Sequence, residues 1–350
     1  MKRLLLVGAR KEAVKAAQKA TYPFLIWNET FIPKRNSISA IIATKENSVI
    51  PAAKLRKKLN LPGIYPRTAL LCRDKFLMKR LLQKQKIHVT PFSILSKKTP
   101  ALWLEKTFGF PMVLKKRDSS GSRGQKIIRD RSRLQKSIQA GFLAEKWIQG
   151  KEYSVESFIQ NKKILFRNIT EYYLPTHINI MPAALSKTVR KKIDLLNAKV
   201  IRALKIHQGI THLECFMTQK GLVFGEIAIR PPGGYLMHLL KMTYGFDPWK
   251  ALFDIELGKK VTFPKKNKKT TGSWVIHPGS GMVSRVRGLK TIKSLPQVRK
   301  ISLRLKEGDT LKKRGSVGES YGKILLSTQT RKELLETISK IQNLLKITVS

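Results

Sequence analysis

Residues 213–235 read LECFMTQKGLVFGEIAIRPPGGY, and they leave the chain few ways to fold. Residues 213–217 form a short run of β-formers, 218–221 a polar turn ending in glycine, and 222–229 a second run, which predicts a β-hairpin. Each arm carries one carboxylate among apolar neighbours, Glu214 in the first and Glu226 in the second. Side chains alternate along a strand, so Glu226, Ala228 and Arg230 share a face if the second arm reaches that far. A strand carboxylate with apolar flanks is costly to bury unless it is paired or holds a metal. The chain has 22 Asp plus Glu against 70 Lys plus Arg, so two acids in adjacent arms point to a divalent-metal platform. The competing reading turns both glutamates to water on the open side of an antiparallel sheet. Pro231-Pro232-Gly233-Gly234 then breaks the strand, and residues 235–244 read as a helix whose N-terminus would attract an anion.

Glu214, followed by Glu226-Ile227-Ala228-Ile229-Arg230 and the glycine turn, resembles the metal-binding core of the ATP-grasp superfamily. The resemblance implies that the two glutamates hold Mg²⁺, with Mn²⁺ as an alternative, bridging the phosphates of ATP. It also implies that Arg230 contacts the substrate or an acyl-phosphate, with Gly233 and Gly234 beside it. Many members carry Asn two residues after the second Glu as a further ligand. Ala228 stands there in this chain and cannot ligate. The Glu-x-Ala-x-Arg pattern is similar to that of the superfamily's amino-acid ligases.

The rest of the chain bears on this reading in order. Residues 1–70 alternate strands (3–8, 24–27, 39–44) with helices (11–20, 52–59), which predicts a small parallel sheet. Only Gly8 of a dinucleotide-binding glycine pattern follows the first strand, so no such site is expected. Asp74-Lys75 opens a periodic helix over 75–85, similar to the start of the ATP-grasp fold, where the resemblance puts Lys75 on the α-phosphate. Lysine in a helix's first turn opposes the dipole, which favours a functional role over a plain surface lysine only in that company. A strand over 110–115 ends in Lys115, and the small-residue loop Ser119-Ser120-Gly121-Ser122-Arg123-Gly124 follows. Small residues let backbone N–H groups approach phosphate and let a loop open and close. The resemblance assigns Lys115, Ser120, Gly121 and Gly124 to the outer phosphates; an ordinary hairpin loop is the plain alternative.

Residues 143–156, LAEKWIQGKEYSVE, combine a strand ending near Glu145, a short linker and a second strand. This resembles the family's adenine pocket, with backbone groups of Lys146 and Ile148 reading the base, Glu145 adjoining it and Glu152 accepting from the ribose. Residues 158–170 read as further strands, 174–184 as a loop carrying His177, and 189–204 as a helix. In related ligases that loop lies near the acceptor, so His177 is a substrate candidate, although a histidine that merely satisfies its loop is the commoner case. His207 and His212 have no ligating partners at helical spacing. The lysine run at 265–269 reads as a linker, and strands at 272–277, 281–286, 301–305 and 322–327, a helix at 331–345 and a strand at 347–349 follow. They are similar to the C-terminal domain of biotin-carboxylase-like members.

The expected architecture is therefore α/β (α+β): an N-terminal domain over 1–70, an ATP-grasp domain over 71–258 with its lid near 105–150, and a C-terminal domain over 259–350. Two distant cysteines, Cys72 and Cys215, fit buried packing in a reducing compartment. The apolar run near the start ends at Arg10-Lys11, too short for a secretion signal, and no run approaches a membrane span, so a cytoplasmic setting is expected. The formal charge is +48, spread along the chain; solvated lysine surfaces are the plain reading, and attraction of polyanions the functional one. What the resemblance implies is an ATP-dependent carboxylate–amine ligase on amino acids or small peptides, forming ADP and phosphate through an acyl-phosphate, and two rival readings stand beside it. One is a purine-biosynthesis or biotin-carboxylase-like member. The other is a basic nucleic-acid-binding protein on an inactive ligase scaffold. Small-molecule substrates and a homodimer are the expected partners.

Overall fold

The computed structural model describes residues 2–28 and 31–350. The alternating pattern of the first segment forms a three-stranded parallel sheet, with Arg3–Val7 between Phe24–Trp27 and Ile38–Ala43. The central strand is buried from Leu4 through Val7, as a parallel strand covered on both faces must be.

The centre of the molecule is one eight-stranded antiparallel sheet. Its order is Gly221–Ala228, Gly209–Thr218, Lys151–Gln160, Lys163–Leu174, Ile178–Met181, Thr270–Ile276, Gly322–Thr328 and Val298–Leu303. The hairpin is longer in its first arm than the sequence pattern indicates and forms one edge of this sheet. The stretch at 174–184 corrects expectation, because Ile178–Met181 is a strand that bridges its neighbours. Pro175 and Pro182 flank it and lend the segment a loop-like composition, while Ile178-Asn179-Ile180 keeps the alternation of a strand. The sheet continues past residue 258: strands from the C-terminal stretch extend it without a break.

One face of the sheet is apolar. Leu213, Val155 and Ile169 lie there and pack with Ile193, Val200 and Ile201 of the helix Lys187–Ala203. The alternation of each strand sends its polar residues to the other face. A second, four-stranded antiparallel sheet faces that polar side, in the order Phe92–Ile94, Phe142–Lys146, Met112–Lys116, Lys126–Ile128. It has its own core of Leu104, Phe108, Met112, Leu114 and Leu134. The helix Lys75–Lys84 lies between: Met78 and Leu82 enter the core, while Lys75 and Lys79, also four residues apart, turn to the polar side.

Candidate active site

The cross-strand register explains why the hairpin constrains so much. Glu214 and Glu226 are directly opposite each other. Like charges in that position repel, so the pairing needs a cation to hold it. Just beyond, the register shifts by one residue and Gly225 is the extra residue. A side chain at Gly225 would come within 3.0 Å of the Phe216 ring and 3.1 Å of the Glu214 carbonyl oxygen, so the bulge needs glycine.

Continuing across the sheet, Glu214 pairs with Ser154, and Ser154 with Thr170. The adjacent row is Ala228, His212, Glu156 and Asn168. Glu152 lies two residues before Ser154 on the same face. Four carboxylates of an acid-poor chain therefore share one sheet face.

Cations answer them from the facing elements. Lys75 Nζ is 3.1 Å from Glu226 Oε1 and also donates to the Ser119 carbonyl. Lys115 Nζ is 2.9 Å from Glu145 Oε2, and Lys79 Nζ is 3.2 Å from Glu145 Oε1, close but misaligned for a hydrogen bond. Burial depresses Lys79 to about 8 despite Glu145. Burial also works against the Lys115 ammonium, but Glu145 and Glu226 outweigh it and raise its pKa. Burial pushes the Glu152 carboxyl up to about 8, helped by the charge of Glu214. Glu214 itself is held down near 2: burial opposes ionisation, and His212 and Tyr172 reverse that through hydrogen bonds and charge.

Asp74 caps the lysine helix by accepting from the Phe76 and Leu77 amides, and Arg117 pairs with it. The Lys75 amide donates to the Arg117 carbonyl at 3.0 Å, so the helix start is tied to the loop after the Lys115 strand. In that loop Ser120 is half-buried, and Gly121 and Gly124 are exposed with φ of 61° and 69°, which favour glycine. The Gly121 carbonyl accepts from the Val317 amide at 2.8 Å, joining the loop to the C-terminal segment. Arg314 braces that segment through the carbonyls of Ser316, Val317 and Thr176.

Other expected residues fall further out. Lys146, exposed, ends the strand Phe142–Lys146, Ile148 is half-buried on the linker after it, and the Lys146 amide donates to the Pro91 carbonyl. His177 lies at the sheet, its Nδ1 3.3 Å from the Val275 carbonyl, with its pKa lowered by burial and by Arg314. Arg230 does not share the carboxylate face, because the strand ends at Ala228. Its guanidinium instead pairs with Glu46, which also binds Arg73 at 2.6 Å. Gly234 has φ of 57°, and its carbonyl accepts from Ser273 at 3.0 Å. The following helix begins at Leu236, whose amide is already used by the Gly233 carbonyl.

Sequence reading passed over Lys79, Glu156, Tyr172, His212 and Glu46. The signal for His212 was present but of another period: it stands two residues before Glu214, a strand spacing and not a helical one. Glu152, Ser154 and Glu156 show the same period, and Lys75 and Lys79 the helical one.

Among the described residues no three ligating side chains cluster to hold an ion unaided. Two opposed carboxylates fit a hard divalent cation that completes its shell with phosphate oxygens and water. Lysines and glycine-loop amides around them fit a polyphosphate. Among the described residues, no helix is long and apolar enough to cross a membrane.

Comparison with known proteins agrees with this arrangement. The family model for the ATP-grasp domain matches residues 80–236, and that for the L-amino acid ligase C-terminal domain 2 matches residues 273–350. The chain is 21% identical over 322 residues to the L-arginine-specific L-amino acid ligase of Bacillus subtilis, covering 86% of this chain and 78% of that one. The crystal structure of an L-amino acid ligase from Bacillus licheniformis superposes with a TM-score of 0.84 at 19% identity, over 100% of this chain and 99% of that one. A carboxyaminoimidazole ribonucleotide synthase complexed with ATP gives a TM-score of 0.78 at 16% identity, over 98% of each chain. With its carboxylate hairpin, facing lysines and glycine loop on a scaffold matched from end to end, the chain belongs to the ATP-grasp superfamily of ATP-consuming ligases.

Proposed function

We propose that the protein joins a carboxylate to an amine at the expense of ATP, with amino acids or small peptides as substrates. The observation that carries this reading is the directly opposed pair Glu214 and Glu226 facing Lys75, Lys115 and the loop at 119–124. The match of residues 273–350 to the L-amino acid ligase domain favours this reading over a purine-pathway or carboxylase activity.

A carboxylate is a poor electrophile, because its charge is delocalised and oxide is a poor leaving group. In the proposed reaction a carboxylate oxygen attacks the γ-phosphorus of ATP, the bond to the β-phosphate oxygen breaks, and ADP leaves. The amine then attacks the acyl carbon, phosphate departs with the C–O bond pair, and the amine's proton passes to solvent. Mg²⁺ held by Glu214 and Glu226 would supply charge neutralisation at the phosphates. Lys75 and Lys115 would release their glutamates and turn to phosphate oxygens. Ser120, Gly121 and Gly124 would cover the outer phosphates, and Lys146, Ile148 and Glu152 would face the nucleoside, with Glu145 holding Lys115 and Lys79. Arg230, released from Glu46, would steady the acyl-phosphate beside Gly233 and Gly234, with His177 on the acceptor side. Mn²⁺ as a substitute ion, a homodimer, residence in the cytoplasm and attraction of polyanions to the +48 chain are finer parts of the same reading.

The test incubates the protein with ATP, Mg²⁺ and a mixed amino-acid pool, resolves nucleotides by ion-exchange chromatography and detects products by mass. ADP and phosphate in step with a condensed product are expected. AMP as the stoichiometric product would overturn the acyl-phosphate route.

A further inference from the structure

Glu156 is fully buried, and donors take up both of its oxygens. Ser154 Oγ donates to Oε1 at 2.7 Å, while Thr170 Oγ1 and Asn168 Nδ2 donate to Oε2 at 2.6 and 3.0 Å. Asn168 is fixed in turn, its Oδ1 accepting from Tyr244 at 2.8 Å. A carboxylate enclosed this way cannot reach a substrate. Its outward connection is His212, whose Nδ1 lies 3.0 Å from Glu156 Oε1. The opposite ring nitrogen, Nε2, lies 3.3 Å from Glu214 Oε1. Tyr172 reinforces the same oxygen, donating to Glu214 Oε1 at 3.0 Å. The small side chain of Ala228, directly across from His212, leaves the imidazole room on this face.

The two oxygens of Glu214 are thus treated differently. Oε1 is engaged by His212 and Tyr172, whereas Oε2 has no protein partner among the described residues. Glu226 is treated alike: Oε1 faces Lys75, and Oε2 has no protein partner among the described residues. We propose that Glu156 and His212 form a positioning relay, which with Tyr172 fixes one oxygen of Glu214 so that the other is presented to Mg²⁺ opposite Glu226. The inference rests on the metal-site reading above. Fixing a ligand through a buried carboxylate and an imidazole removes the freedom that ion binding would otherwise have to freeze.

The experiment measures Mn²⁺ affinity by the loss of the free-ion EPR signal, with a non-hydrolysable ATP analogue saturating, in the wild type, His212→Leu, Glu156→Gln and Tyr172→Phe. A parallel titration measures analogue affinity in EDTA. The relay predicts a 10- to 100-fold weaker Mn²⁺ affinity for His212→Leu, the usual cost of losing such a partner. Glu156→Gln and Tyr172→Phe shift in the same direction by less, and analogue affinity without metal is unchanged. If His212→Leu does not fold, the other two variants decide the matter alone. Folded variants that hold Mn²⁺ as the wild type does would overturn the relay and leave the metal site standing. A wild type that takes up no Mn²⁺ with the analogue would instead remove the metal site and the relay together.

Discussion

Glu226 has one oxygen on Lys75, and its other oxygen has no protein partner among the described residues. Replacing it with glutamine keeps the shape and removes the charge that a hard divalent ion requires. Glu226→Gln is expected to fold and to lose at least about 100-fold in ligation rate, a loss typical of removing one electrostatic group from a transition state. Near-normal turnover across a Mg²⁺ titration would be incompatible with the assignment. Lys79 offers a different handle. Its pKa falls from 10.5 in the unfolded chain to about 8 in the fold, so between those values the unfolded chain holds more protons. Stability linked to this group therefore rises as pH climbs from about 8 toward 10.5. Compared with Lys79→Met in urea melts, the wild type should gain by up to ~1.4 kcal/mol per pH unit in that window. A gap that does not change with pH would mean the lysine titrates normally. At this scale the opposed glutamates were legible because acids are rare and their strand neighbours are apolar. His212 was only half legible: its two-residue spacing from Glu214 is a strand's, but its partners Glu156 and Tyr172 lie on other strands, which no local spacing reveals.

The hairpin was legible as an element because it combines β-rich arms with a glycine-closed turn. Its bulge was not, since an extra residue shows only once two strands are paired. Gly225→Ala should cost roughly 1–3 kcal/mol, as overpacked sites do, and should disturb Glu214 more than Glu152 because the crowded atoms are Phe216 and the Glu214 carbonyl. Thermal melts together with Mn²⁺ titration would measure both effects. The segment at 174–184 misled for a physical reason: two prolines mark its ends, and one of the two neighbours that make it a strand is contributed by residues almost a hundred positions later. The helix Pro248–Glu256 was likewise not anticipated, although Asp247 caps it and Pro248 opens it, a start signal visible in the sequence. The glycine loop gives an element-scale prediction. Trypsin cleavage at Arg123 should slow several-fold when ATP and Mg²⁺ are added, and cleavage indifferent to nucleotide would mark an ordinary hairpin loop.

Across the whole molecule, the alternation of strands and helices made the N-terminal sheet readable, and the C-terminal strands were found close to their observed bounds. That three of those strands, Thr270–Ile276, Val298–Leu303 and Gly322–Thr328, extend the same sheet as the hairpin was not readable, because joining an edge is decided by contacts far apart in sequence. Four carboxylates face inward on that sheet, while 70 basic residues are distributed over the chain. With a formal charge of +48 the chain is expected to draw in an anionic nucleotide, and the association rate should then fall steeply with salt. Stopped-flow binding of a fluorescent ATP analogue between low and physiological ionic strength should record a fall of about ten-fold or more, with dissociation changing less. A salt-independent association rate would mean that the surface charge has no part in capture.

The hydrogen bond from the Val317 amide to the Gly121 carbonyl has a consequence for fidelity. It ties the last part of the chain to the glycine loop that, in the proposed reaction, would cover the outer phosphates. In the proposed reaction water competes with the amine for the acyl-phosphate, so the yield of product per ATP would depend on that cover staying shut until the amine arrives. A protein whose C-terminal segment no longer reaches the loop would still hydrolyse ATP when offered a carboxylate, but the ratio of condensed product to ADP would drop.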